Sequence, residues 1–144
     1  MDFNKKTIKD IDVAGKRILL RVDYNVPFSG GKIQSDFRIQ ESLPTIDYLL
    51  GQGCSIVIMS HLGRPDGKPN QEYSLKPTAD RLSKLIKRDV KFASDCLGSA
   101  TEKLVSDLKP GEILMLENVR FYNEEEANDK KFAEKYNLNF RGKK

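Results

Sequence analysis

The sequence predicts an α/β domain of three layers, a parallel β-sheet flanked by helices. Two observations carry that expectation. Four short runs rich in apolar residues, the second of them solidly β-branched, are set off by turn residues, and continuous apolar runs of this length suit strands buried on both faces. The segments between them place apolar residues at helical spacing, so strand and helix alternate four times, the pattern of a parallel sheet.

The first run, "KRILLRVDY" at 16–24, lies between Gly15 and Pro27. In the connection after it, "SGGK" predicts a hairpin tip and not a phosphate loop, because the GxxxxGK[ST] pattern is absent. Asp36 is expected to cap a helix through "FRIQESLPTIDYLLGQG". Phe37, Ile39, Leu43, Ile46, Leu49 and Leu50 share its apolar face, and "GQG" ends it. Pro44 inside that pattern predicts a kink or a later start. The second strand is "SIVIMS" at 55–60. Ser74 is expected to cap the next helix, "LKPTADRLSKLIKR", with Leu75, Leu82, Leu85 and Ile86 inward. "VKFAS" at 90–94 is a third strand, 98–108 a third helix, and "EILMLEN" at 112–118 a fourth strand. Residues 124–136, acids first and lysines later as the helix dipole prefers, predict a fourth helix.

Composition narrows the function classes. The 144 residues suit one domain, and no apolar run reaches the ~20 residues a membrane span needs. The first residues lack the apolar centre of a secretory signal, which points to the cytoplasm. Cys54 and Cys96 form no CxxC pair, and a single histidine completes no usual zinc site, so two reduced thiols are expected. The net charge is +4, but Arg141, Lys143 and Lys144 sit in an acid-free tail. Without them 22 bases face 21 acids, so the charge of the body does not imply a nucleic-acid partner.

In open parallel sheets, ligands bind beyond the carboxyl ends of the strands. The first strand ends in Asp23, Tyr24 and Asn25; the second in Ser60 and His61, then Gly63 and Arg64; the fourth in Glu117 and Asn118, then Arg120. Arg38 opens the first long helix. These residues share one rim. Arginine forks match phosphate and carboxylate oxygens, Asp23 can accept from a hydroxyl, and Asn25 can donate or accept, so the rim suits a small hydroxylated anion. Plainer readings stand beside this one: surface arginines, a structural histidine, and an Asp-x-Asn turn.

Five stretches resemble one family in order and spacing: "RVDYNVP" at 21–27, "DFRIQESLPTI" at 36–46, "SHLGRP" at 60–65, "SLKPTADRLSKLI" at 74–86 and "LENVRF" at 116–121. They resemble phosphoglycerate kinase, with Tyr24 where phenylalanine is more usual. The resemblance implies a Rossmann-like amino-terminal domain, read here as 1–136, followed by a basic tail of residues 137–144 outside the family pattern. It implies that Asp23 and Asn25 bind the hydroxyl of 3-phosphoglycerate and nearby oxygens. His61, Arg64 and Arg120 would hold mainly the phosphate. Arg38 would reach the carboxylate and act catalytically, stabilising the phosphoryl group in transfer between 1,3-bisphosphoglycerate/ADP and 3-phosphoglycerate/ATP. In the family, a carboxy-terminal domain binds Mg2+ with ATP or ADP. No glycine-rich nucleotide loop or metal-binding aspartate of that domain is found in these residues. The expectation is therefore an incomplete, truncated chain that binds substrate, binds no nucleotide or metal itself, and is inactive without a nucleotide domain or complementing chain. A non-catalytic anion-binding module and a non-functional truncated product are the competing readings; no nucleic-acid or membrane partner is expected.

Overall fold

A computed structural model describes residues 5–122. Four parallel strands form the main sheet: β1 (Arg17–Arg21), β4 (Ser55–Met59), β6 (Ile113–Met115) and β5 (Val90–Phe92), in that order across it. Three helices connect them: α1 (Phe37–Gly51), α2 (Lys76–Ile86) and α3 (Ser99–Ser106). The predicted hairpin is present. β2 (Phe28–Ser29) pairs antiparallel with β3 (Lys32–Ile33), and Gly30 and Gly31 take positive φ at the tip. That conformation is open to glycine at little cost and matches strand twist. The expected helix at 124–136 and the tail at 137–144 lie outside the described residues.

Pairing registers Ile56 with both Ile18 and Ile113, and Ile113 with Val90. Successive side chains then point to opposite faces. Ile56, Ile58, Ile113 and Met115 join Ile39, Ile46, Leu49, Leu75 and Leu82 in one core, beneath α1 and α2. Val57 and Leu114 join Val105 and Leu108 of the α3 region in the other. The split follows from crossover handedness. β1 to β4 and β4 to β5 move one way across the sheet, β5 to β6 moves back, and right-handed connections therefore place α3 on the opposite face.

Three local expectations, at Phe37, Asp36 and Ser74, are corrected, and one of the two alternatives at Pro44 is removed. Helix α1 starts at Phe37 and runs through Pro44 to Gly51, with no late start. Ile39, Ile46 and Leu49 are fully buried. At about 1.5–3 kcal/mol each, their burial outweighs the ~3 kcal/mol of an internal proline. Pro44 also lies on the exposed side, where water can serve the carbonyl it leaves without a partner. Phe37, expected on the apolar face, is 63% exposed. Asp36 occupies the N-cap position but caps no backbone amide. Its carboxylate instead accepts from Gln40 Nε2 and from Arg81 Nε, both at 2.7 Å. Ser74 lies one residue before the N-cap of α2, whose N-cap is Leu75. Its Oγ accepts from the Lys76 amide at 3.2 Å and donates to Glu117.

The Arg81 bond, helped by Gln40, holds the Asp36 carboxyl below the ordinary carboxylate value. Lys91 and the Lys109 amide do the same for Glu112. A carboxylate depressed in the folded state adds stability above its unfolded pKa and loses it as pH falls through the folded one. We expect the melting-temperature gap between the native chain and Asp36→Asn to be constant above about pH 5 and to close toward about pH 3. A gap that widens on acidification would contradict the Asp36–Arg81 link.

Candidate functional site

The rim at the carboxyl ends of β1, β4 and β6 is built by side chains that leave the sheet and bond across it. Past β1, the Val22 amide still reaches the Met59 carbonyl at 3.0 Å. The Tyr24 amide then turns to Ser60 Oγ at 2.9 Å, and Ser60 donates onward to the His61 carbonyl at 3.0 Å. Asn25 Oδ1 accepts the Gly63 amide at 3.0 Å. The first loop and the "SHLGRP" loop are thereby joined.

Asn118 joins the same loop to the third. It is fully buried. Its Nδ2 donates to the carbonyls of Leu62 at 2.7 Å and Tyr73 at 3.0 Å. Its Oδ1 accepts from the amides of Leu62 at 3.3 Å and Arg120 at 3.0 Å. Beside it, the buried Glu117 accepts from Ser74 Oγ at 2.7 Å and from the amides of Leu75 at 2.8 Å and Asn118 at 2.9 Å. Glu117 thus serves an amide at the start of α2 from across the sheet. Ser60, Glu117 and Asn118 were placed at the strand ends by sequence, but their fixing roles were missed. The available signal was a polar side chain immediately after a fully apolar strand, where burial demands partners.

Arg38 and Asp23 meet directly. Arg38 Nη1 donates to Asp23 Oδ1 at 3.0 Å, to Asp23 Oδ2 at 3.1 Å and to the Asn25 carbonyl at 3.1 Å. Asp23 Oδ1 also accepts the Asn25 amide at 3.2 Å, so the Asp-x-Asn turn is formed as well. Both side chains of the pair stay about half exposed. Asp23 and Arg38 line a depression of about 310 Å³ beside β1, with Arg21, Glu41, Ser42 and Thr45. His61 and Arg120 are half-buried, whereas Arg64 is exposed and forms no hydrogen bond or ion pair among the described residues. The six predicted residues therefore fall in two groups. Asp23, Asn25 and Arg38 are bonded to one another, and His61, Arg64 and Arg120 stand on the two loops that Asn118 clamps.

A second hollow of about 440 Å³, at the ends of β5 and β6, is lined by Asp95, Glu117, Gln71 and Tyr122, among others. Among the described residues its lining has two carboxylates and no cation, which does not suit an anion. Among the described residues no group of three or more His, Cys, Asp or Glu side chains is placed to hold a metal ion.

Comparison with known proteins agrees with the motifs. The family model for phosphoglycerate kinase matches residues 8–140. The phosphoglycerate kinase of Desulforudis audaxviator is 55% identical over 130 residues, which cover 90% of this chain and 33% of that protein. That of Borreliella afzelii is 55% identical over 135 residues, covering 93% and 34%. The crystal structure of the Pyrococcus horikoshii phosphoglycerate kinase superposes with a TM-score of 0.79 at 34% identity, covering 89% of this chain and 33% of that one. The structure from Coxiella burnetii gives 0.69 at 38% identity, covering 80% and 28%. The chain spans about a third of the length of the curated relatives it matches.

Proposed function

The chain belongs to the phosphoglycerate kinase family, and on that premise we propose that its rim is the binding site for 3-phosphoglycerate. The observation that carries the reading is the bonding of three loops and α1 into one rim through Asn25, Asn118 and Arg38. Arg64, with no partner among the described residues, supplies an open guanidinium to the phosphate, and His61 and Arg120 stand beside it on the clamped loops.

Arg38 and Asp23 must change partners when the ligand arrives. An exposed ion pair contributes about 0.2–1 kcal/mol, whereas a hydrogen bond between a charged group and a ligand oxygen contributes about 1.5–3 kcal/mol. The ligand wins that exchange. Arg38 turns to the carboxylate, and Asp23, released, accepts from the substrate hydroxyl. In the whole reaction Arg38 would stabilise charge on the phosphoryl group as it passes between the substrate carboxylate and a nucleotide, ATP as donor or ADP as acceptor, which a separate domain would hold with Mg2+. This setting is a cytoplasmic one.

Calorimetric titration of 3-phosphoglycerate into the chain tests the reading. We expect saturable, salt-sensitive binding, weakened about tenfold or more by Arg64→Ala and by Arg38→Ala. Binding unchanged in both variants would remove the rim as the site.

A further inference from the structure

The first rim loop is tied to α1 beneath the surface as well as at it. Ser42 lies one helical turn after Arg38 and donates its hydroxyl proton to the Ile39 carbonyl at 2.6 Å. Ser42 Oγ also lies 2.6 Å from the Tyr24 hydroxyl. Ser42 has one proton and has spent it on Ile39, so Tyr24 is the donor in that bond. Tyr24 is fully buried. Burial pushes its pKa up to about 12, which keeps the donor proton in place throughout the neutral range. This hydroxyl is also the chain's departure from the phenylalanine more usual in the "RVDYNVP" motif.

The two ties differ in what a ligand can do to them. Arg38 bonds to Asp23 and Asn25 at the half-exposed surface, and those are the bonds a bound carboxylate would replace. Tyr24, between Asp23 and Asn25, is out of reach. We propose that Ser42 is the fixed acceptor that seats the buried Tyr24 hydroxyl, so that the rim loop keeps its place on α1 while Arg38 exchanges its partners; with both hydroxyls gone, ring packing alone holds that place. The inference rests on the rim reading above, and it makes Tyr24 and Ser42 positioning residues.

The donor direction gives an asymmetric prediction. Ser42→Ala strands a buried hydroxyl donor, and Tyr24 must shift, carrying Asp23 and Asn25 with it. Tyr24→Phe leaves Ser42 satisfied by Ile39. Removing both hydroxyls strands nothing, and such paired removal is close to neutral.

The test uses the 144-residue chain, the two single variants and the double variant. Each is titrated with 3-phosphoglycerate and with inorganic phosphate, and its amide NMR spectrum is recorded without ligand. Ser42→Ala is expected to weaken 3-phosphoglycerate about fivefold with phosphate unchanged within about twofold. Tyr24→Phe should cost less than about twofold, and the double variant should return to within about twofold of native. The Asp23, Asn25 and Gly63 amide resonances should move in Ser42→Ala and return in the double variant. Should Ser42→Ala fail to fold while the double variant folds, the coupling is shown by stability itself. Resonances unmoved by Ser42→Ala, or single effects that simply add, would overturn the tie. A native chain that binds no 3-phosphoglycerate overturns the rim reading instead, and the ligand-free spectra still decide the tie.

Discussion

Replacing Asn118 by alanine is expected to lower the melting temperature by roughly 10 °C or more and to abolish binding at the rim. The side chain is fully buried and makes four hydrogen bonds to backbone groups of three segments. Alanine leaves two amides and two carbonyls to find new partners. At about 1–3 kcal/mol for each group that stays buried and unmet, even partial rescue by water leaves a loss of about 3–4 kcal/mol. The loop carrying His61 and Arg64 is the part released. Asn118→Asp sharpens the test, because the shape is kept while the donor nitrogen becomes an oxygen. A carboxylate can still accept from Leu62 and Arg120, but it faces the Leu62 and Tyr73 carbonyls. It is expected to be at least as harmful as alanine. An aspartate variant with native melting and native 3-phosphoglycerate binding would show that the clamp does not hold the rim.

Much of this architecture was readable from residues alone. Strands β1 and β4 announce themselves as short apolar runs, and the adjacent glycines of "SGGK" mark the hairpin, where both take positive φ. The rim residues followed from one rule, that ligands gather beyond strand ends. What escaped were bonds between residues distant in sequence. Asp36 looks like a cap because a cap is local, but Arg81, 45 residues away, takes its carboxylate. Ser74 looks like the cap of α2, but Glu117, 43 residues away, pulls its hydroxyl. The sequence also overextended the strands. Asp23 and Tyr24 were counted with the first strand, and Glu117 and Asn118 with the fourth. β1 ends at Arg21 and β6 at Met115, because these polar groups leave the ladder to bond across the rim. The pairing of Asp23 with Arg38 was likewise hidden. Both were named as ligand residues, and nothing local says that they neutralise each other first.

Gly63→Ala is the substitution expected to separate stability from site geometry most clearly. Gly63 has φ +61, in the left-handed region, where a side chain costs about 1–2 kcal/mol. A Cβ there would also overlap Cδ1 and Cε1 of the Tyr73 ring. The Gly63 amide, meanwhile, holds Asn25 Oδ1 at 3.0 Å. Any backbone adjustment that relieves the alanine therefore pulls on the bond joining two rim loops. We expect Gly63→Ala to melt several degrees lower and to weaken 3-phosphoglycerate by about tenfold or more. Adding Tyr73→Ala removes the ring from the clash but leaves the backbone strain. The double variant should recover part of the affinity, because Asn25 regains its amide partner, while its stability stays low through the lost ring packing and the remaining strain. Recovery of neither property would place the damage in φ alone. An alanine at 63 that binds as tightly as glycine would mean that the Asn25–Gly63 bond is not what sets the distance between the two halves of the rim.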